Sequence, residues 1–428
     1  MIGRRLRRLR GLVPLLVAGL GASCAGGLTA PPRTAPVAAS PTATTSGASP
    51  SGTATIPAVT PSRTLTPSRA AIPSPTAASR PTATPCDPLA VIDSWSLSLR
   101  AAQLVVVPAD ETDVAAAAPS IREGAGGVIL FGAAAPADLA QQLSDLRAAA
   151  PPGAAPLVMT DEEGGGVQRM ANLAGSVPWP ATMAATMTPD QVRTLAAQTA
   201  RRLAAAGVTM DLAPVLDLAS GPGPDAAHTD GPRSFSPDAV TAENYGLAFA
   251  EGLEEGGIIP VVKHFPGEGA ATANTDDGPA RTPALSELEQ NDLLPFEAAI
   301  RQGIPAVMIG NAVVPGLGTS PASLSFSVIS WLLRQQLGFA GLVMTDALNA
   351  EAISALGLTV PEAAVEAVAA GADMVLYNAS NPNATFDQVV AALVRAVTAG
   401  TIPAASLDTS VERVLGVKGV NVCASPAP

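Results

Sequence analysis

The chain holds two lysines and two histidines, and one of each stand side by side. Lys263 and His264 follow the apolar run Ile258-Ile259-Pro260-Val261-Val262 and precede Phe265-Pro266-Gly267. Lys418 and His228 are the other two, and every remaining basic residue is arginine. An ammonium and an imidazole at one strand end supply hydrogen-bond donors and a proton-exchanging group. The bland alternative is a chance pair capping a strand. Other apolar runs end in the same manner. Asp161 follows Leu157–Thr160, Asp217 follows Val208–Val215, Asn311 follows Ala306–Ile309, Asp346 follows Leu342–Thr345, and Asn378 follows Asp373–Tyr377. Carboxylates beside cations grip vicinal hydroxyls well, and paired carboxylates do nucleophilic and acid/base work.

These residues need a scaffold that brings strand ends together. With Leu104–Val107, Gly127–Phe131 and Pro260–Phe265, the apolar runs number eight. Amphipathic stretches lie between them: Pro136–Ala149, Asp190–Ala205, Asp238–Glu255, Leu285–Gln302, Phe326–Leu337 and Pro361–Ala370. Most runs lack polar alternation, as strands buried on both faces do. Strand then helix, repeated in this way, predicts an α/β fold, a (β/α)8 TIM-type barrel in a single domain. A doubly wound open sheet is the rival. In a barrel all the strand-end polar residues converge on the C-terminal rim, where such folds build their sites.

Composition bounds the rest. Arginines 4, 5, 7, 8 and 10 precede the apolar run Gly11–Leu20 and small residues before Cys24. Residues 1–24 thus read as a signal peptide, too short in its apolar part to span a bilayer, with Cys24 as a lipoprotein acceptor. Leu20 stands four residues before that cysteine instead of the usual three, so plain secretion is the alternative. Residues 25–85 are rich in Ser, Thr, Pro, Ala and Gly, with no acidic residue; they predict a disordered tether. Past it lie all 36 acidic residues against 15 of the 24 basic ones, a net charge of −21 for residues 86–428. Such a domain is a poor nucleic-acid binder and is repelled by anionic membranes, so membrane contact is expected only through a lipid anchor. Cys86 and Cys423 bracket the domain, which in an exported protein predicts a disulfide; two free thiols are the alternative.

Three segments carry a family resemblance: Lys263-His264-Phe265-Pro266-Gly267, Asp161-Glu162-Glu163-Gly164-Gly165-Gly166-Val167-Gln168-Arg169, and Gly341-Leu342-Val343-Met344-Thr345-Asp346-Ala347-Leu348. They resemble the barrel domain of glycoside hydrolase family 3, above all its single-barrel β-N-acetylhexosaminidases. Ala213–Asp217, Arg233–Ser236 and Ala370–Met374 fit the same pattern in the same order. The resemblance implies a retaining glycosidase with Asp346 as nucleophile, forming a covalent glycosyl-enzyme. It implies Asp161, Arg169, Arg233, Lys263 and His264 as residues gripping the non-reducing sugar. Cationic neighbours are expected to keep the pKa of Asp346 low, and the same residue also suits the N-cap of a helix starting near Ala347.

The acid/base loop departs from that pattern. Where relatives carry Asp-Ser-His, this chain reads Asn274-Thr275-Asp276, and Glu268 stands where relatives often carry a histidine. Asp276 then becomes the expected general acid, its pKa raised by burial under sugar and by Asp277 and Asp346. The competing expectation is a weak or inactive surface carbohydrate-binding lipoprotein. Losing the loop histidine also opens the substrate to plain β-hexosides, with β-glucosidase activity the second choice after β-N-acetylhexosaminidase. The glycine run suits a phosphate loop or simply a tight turn, and Asp161-Glu162-Glu163 suggests a metal, against which stand a chain with two histidines and no cysteine near the trio. No metal or organic cofactor is expected. The full expectation is an exported, cell-surface or secreted monomer acting on carbohydrate, such as a cell-wall amino-sugar glycan.

Overall fold

The computed structural model describes residues 87–421. The signal segment, Cys24, the tether, and both Cys86 and Cys423 lie outside the described residues. Eight parallel strands close into a barrel: β1 (Val105–Asp110), β2 (Gly127–Phe131), β3 (Leu157–Thr160), β4 (Met210–Asp211), β5 (Ile259–Phe265), β6 (Ala306–Ile309), β7 (Leu342–Ala347) and β8 (Met374–Leu376). Each strand pairs with its neighbours in sequence, and β8 closes on β1 through Val105 opposite Val375. The open sheet is thereby excluded. Among the described residues no helix is long and apolar enough to cross a membrane.

Alternation along the strands sorts the core into two layers. Val106, Ile129, Met159, Val261, Met308, Met344 and Met374 fill the barrel interior, while Val105, Val107, Val128, Val158, Val262, Val307, Val343 and Val375 pack outward with the helices. The outward row is thus all valine, while the interior mixes Val106, Ile129 and Val261 with unbranched methionines that fill its irregular centre. Strand periodicity of two carries the inward row onward to the rim. Asp161 continues the row of Leu157 and Met159, Lys263 that of Val261, and Asp346 that of Leu342 and Met344. Gly310 continues the row of Ala306 and Met308, where no side chain is supplied.

Several elements differ from the sequence pattern. The fourth apolar run, Val208–Val215, is a strand only at Met210–Asp211, with a single further bridge from Val215 to Lys263. Pro214 has no N–H to give the ladder. The stretch Leu285–Gln302 splits into helices Leu285–Leu288 and Leu293–Gln302, which leaves Pro295 in a first turn, where a missing N–H costs nothing. Ser327–Gln336 is wound as a π-helix. A hairpin, Glu162–Gly164 with Val167–Gln168, follows β3 and was not foreseen. Its glycines make a tight turn: a Cβ on Gly165, at φ +60, would lie 1.9 Å from the Trp179 ring.

One buried carboxylate holds the last strand in place. Asp373 accepts from the Val343 N–H of β7, from Arg334 on the π-helix, and from Ser410 and Arg413 on helix Ala404–Val417. It is fully buried, so removing it strands two arginines over the barrel wall. Asp373→Ala should cost about 3–5 kcal/mol, the range for breaking a buried ion pair. Chemical denaturation of the two proteins measures this; a loss under about 1 kcal/mol would contradict the role given to Asp373.

Candidate active site

Lys263 ends the inward row of β5 with its side chain only 3% exposed. A buried ammonium needs partners, and the segment after β3 supplies them. Lys263 Nζ donates to Asp161 Oδ1 at 2.8 Å and lies 2.7 Å from Glu163 Oε1. Arg233 clamps the same Glu163 from the other side, Nε to Oε2 at 2.8 Å and Nη2 to Oε1 at 2.7 Å. The hairpin makes this possible. Glu162 turns into the hairpin itself, accepting from the Arg169 and Met170 N–H groups and from Gln168, so Asp161 and Glu163 are left facing the cations. Burial acts to raise the Glu163 pKa, but Arg233 and Lys263 outweigh it and hold the carboxyl well below its usual range. Burial likewise opposes the charge on Lys263, and Asp161 and Glu163 reverse that, raising its pKa.

His264 is held from behind. Asp217 Oδ2 accepts the His264 N–H at 3.0 Å and lies 2.6 Å from Nδ1, while Oδ1 accepts the Glu268 N–H at 2.7 Å. With Nδ1 committed to Asp217, the ring keeps Nε2 for a ligand. Burial lowers the His264 pKa and raises that of Asp217 to about 6. Asp230, beside them, is raised to about 7, by burial first and the Asp217 charge second. Asp217, Asp230 and His264 bring one donor atom each within 4.8 Å of one another, an arrangement able to hold a cation. Here His264 Nδ1 and Asp217 Oδ2 are spent on each other, and the Arg233 guanidinium, 3.3 Å from Asp230 Oδ1, already supplies positive charge there.

These groups open on a cavity of about 420 Å³ at the C-terminal end of the barrel. Asp161, Arg169, Arg233, Lys263 and His264 line it together with Asp346 and Asp276, while Phe131, Met308 and Leu376 give it apolar surface. Arg169 reaches within 3.7 Å of Asp161 and lies over the Phe131 ring, its guanidinium 5.6 Å from the centroid. A charged, donor-rich wall facing apolar patches suits a small polyhydroxylated ring.

The Glycosyl hydrolase family 3 N terminal domain matches residues 96–417. The chain belongs to glycoside hydrolase family 3. It is similar to Beta-hexosaminidase LpqI of Mycobacterium tuberculosis, at 38% identity over 274 residues, 62% of this chain and 68% of that protein. Its fold matches a solved glycosyl hydrolase of the same family from Mycobacterium smegmatis, with TM-score 0.70, 35% identity and coverage of 78% of this chain and 98% of that one. It also matches the Beta-N-acetylhexosaminidase of Beutenbergia cavernae, with TM-score 0.70, 33% identity and coverage of 76% and 99%. The chain is a glycosidase.

Within this family-3 barrel the residues singled out by sequence separate into groups. All seven candidates line the one cavity. Of the other strand-end residues, Asn311 is structural, tying β6 to β7 through Ala347 O and to Ser323, and Asn378 is exposed. Asp217 stands behind His264. Two expectations for Asp346 are overturned. Its pKa is raised, because burial outweighs the pull of His264 and Lys263. It also caps no helix: β7 runs on to Ala347, whose N–H donates to Asp346 Oδ1, and the next helix starts at Glu351. Asp276 is exposed at the cavity mouth, on a loop whose Thr275 O accepts from Ala352 N–H at 3.0 Å. Glu163, Asp230 and Glu268 carry no site role in the sequence pattern, where Glu268 stands out only as a departure from relatives and Glu163 only as part of an acidic trio. A signal for Glu163 was present, since a buried lysine and a nearby arginine together call for more than one carboxylate.

The titration of these groups gives stability a definite slope with pH. Burial first, joined at Asp230 and Asp292 by neighbouring carboxylates, pushes Asp217, Asp230 and Asp292 up to about 6, about 7 and about 6, above the ordinary aspartate range. Their contribution is present below about pH 4 and is lost as pH rises through 6 to 7. Glu163, shifted the other way, contributes above about pH 4.5 and is lost in strong acid. The melting temperature should therefore fall between pH 5 and pH 8, and Asp230→Asn should flatten that fall. Calorimetry across this range tests it; a melting temperature rising from pH 5 to pH 8 would contradict protonated buried carboxyls.

Proposed function

We propose that the protein is a retaining hydrolase of non-reducing terminal β-linked N-acetylhexosamine or hexose, with Asp346 as nucleophile and Asp276 as acid/base. The observation that carries this reading is the sharing of one cavity by an inward-facing carboxylate at the end of β7, a second carboxylate at its mouth, and the Asp161–Arg169–Lys263–His264 wall. The sugar sits against that wall, Asp161 accepting from hydroxyls and the cations donating to them. Asp346 attacks the anomeric carbon while Asp276 gives its proton to the departing glycosidic oxygen. Water then attacks the same carbon, losing its proton to Asp276, and the bond to Asp346 breaks. Names of relatives such as Beta-hexosaminidase LpqI favour N-acetylhexosamine as the first substrate to try.

Export to the cell surface, with Cys24 lipidated and Cys86 joined to Cys423 in a monomer, belongs to the same proposal. It is supported by the arginine-rich start, the short apolar run and the Ser/Thr/Pro-rich segment before the barrel. Cys24→Ala should then shift the protein from the membrane fraction to the medium.

Turnover of aryl N-acetyl-β-glucosaminide and aryl β-glucoside tests the chemistry. Asp346→Asn should lose at least about 10³-fold in kcat on the preferred sugar. Asp276→Asn should lose about 10²–10⁴-fold with alkyl or sugar leaving groups and much less with activated aryl ones. Asp346→Asn retaining wild-type rate would refute the nucleophile. Equal losses for Asp276→Asn with both kinds of leaving group would refute the acid.

A further inference from the structure

Glu268 is a carboxyl group that the proposed reaction leaves unused, although it reaches the wall of the same cavity as Asp346. It is 1% exposed. Its surroundings are built to receive it. Its N–H is fixed on Asp217 Oδ1, and its Oε1 accepts the Ala312 N–H at 2.7 Å. Gly310 leaves empty the inward position above Met308, and the Glu268 carboxyl occupies that space: a Cβ on Gly310 would lie 2.1 Å from Oε1. Its other oxygen, Oε2, is buried with no partner among the described residues. Asp346 offers a matching acceptor, since its Oδ1 takes the Ala347 N–H and its other oxygen stays available.

An ionised carboxylate is poorly suited to this place. Asp217 and Asp230 face it from the segment after β4, Asp346 from β7, and Asp292 packs on Gly267. The cationic and neutral groups nearby are committed elsewhere, Arg233 to Glu163 and Asp230, and His264 to Asp217. Burial first, then those carboxylates, raise the Glu268 pKa well above its ordinary value. A protonated carboxyl keeps one oxygen as acceptor for Ala312 N–H and turns the other into a donor. A buried acid kept neutral so that it can donate is an established use of such sites.

We propose that Glu268 is a positioning residue of the glycosidase reaction: an uncharged carboxylic acid whose Oε2 hydroxyl donates toward the open oxygen of Asp346 when sugar fills the cavity. Resting on the reading of Asp346 as nucleophile, it adds a reason why that carboxylate stays ionised in a buried place. A hydrogen bond to the ionised form favours it, and a neutral neighbour adds no repulsion. Glu268 neither gives nor takes a proton during turnover. Gln at this position keeps the shape and a donor; Leu keeps neither.

The test uses an activated aryl glycoside, so that proton donation by Asp276 carries little weight, and measures kcat/KM against pH for Glu268→Gln and Glu268→Leu. Glu268→Gln should lose only a few fold and should move the alkaline limb upward by about one pH unit or more, because an amide has no proton to lose. Glu268→Leu should lose about 30-fold or more. Gly310→Ala, which forces the carboxyl aside, should fall toward the leucine variant. Thermal unfolding of each variant shows that it is folded. If Glu268→Gln falls as far as Glu268→Leu, the carboxyl acts by charge or proton transfer and the inference is wrong. It is equally wrong if Glu268→Leu stays within about threefold of wild type, or if the alkaline limb of Glu268→Gln does not move. Asp346→Asn, run in parallel, separates the two readings: full activity there overturns the nucleophile itself, whereas an inactive Asp346→Asn with these failures overturns only Glu268.

Discussion

A lysine at the inner end of a barrel strand can stay charged only if the fold brings carboxylates to it. Lys263, with 3% of its side chain exposed, sets that condition on much of the rim. Asp161 meets it directly because β3 lies two strands away and ends in the same inward row. Glu163 meets it by a different route, since two residues further along the chain has already left the barrel wall. The hairpin Glu162–Gly164 with Val167–Gln168 folds it back, and it does so because Glu162 binds the hairpin's own N–H groups. Once Glu163 is buried beside Lys263, Arg233 completes the balance with a bidentate pair. Hairpin, glycine turn and the Arg233 segment are therefore consequences of one buried ammonium as much as of sugar binding.

Burial alone does not decide whether a carboxylate is charged here. Glu163 and Glu268 are both almost fully buried and both in the cavity wall. Glu163 touches two cations and is driven toward the ionised form. Glu268 sees Asp217, Asp230 and Asp346 with no cation in contact among the described residues, and is driven toward the neutral form. The two faces of the cavity thus differ in kind. One is a lattice of full charges suited to polar hydroxyls; the other is a set of buried acids held toward the protonated form beside the proposed nucleophile. That division is the usual way for a single site to run nucleophilic and acid chemistry near neutral pH.

The barrel was legible because its strands are short apolar runs of one type, and seven of the eight fall close to where the pattern puts them. The failure at Val208–Val215 has a local cause in Pro214, and the split of Leu285–Gln302 comes from Pro295. The candidate residues were legible because a strand end is a fixed place in a barrel, so Asp161, Lys263 and Asp346 could be assigned to one rim. Residues on loops were not. Nothing in the spacing of Glu163 or Asp230 tells which way a hairpin or a turn will point them. The direction of the Asp346 shift was misjudged because sequence reveals which cations are near but not how little water remains. Glu268 hides for a further reason: its place is defined by the missing side chain of Gly310, on a different strand.

The proposed acid shows how a loop residue gains a fixed position without being buried. Asp276 lies at the mouth and is exposed, yet its loop is not loose. Its own carbonyl accepts from Glu351 N–H at 3.4 Å, and the preceding Thr275 carbonyl from Ala352 N–H at 3.0 Å. Both donors belong to the segment that follows β7, the strand bearing Asp346. On the other side Asn274 N–H donates to Ala226 O at 3.1 Å, joining the loop to the segment after β4. The proposed acid is thus referenced by backbone hydrogen bonds to the same strand end as the proposed nucleophile, and those bonds are indifferent to which side chain stands at 276. Placement and chemistry are therefore separable on this loop: the backbone sets where the proton donor stands, and the side chain sets only its pKa and reach. An aspartate in place of a histidine changes the second without disturbing the first.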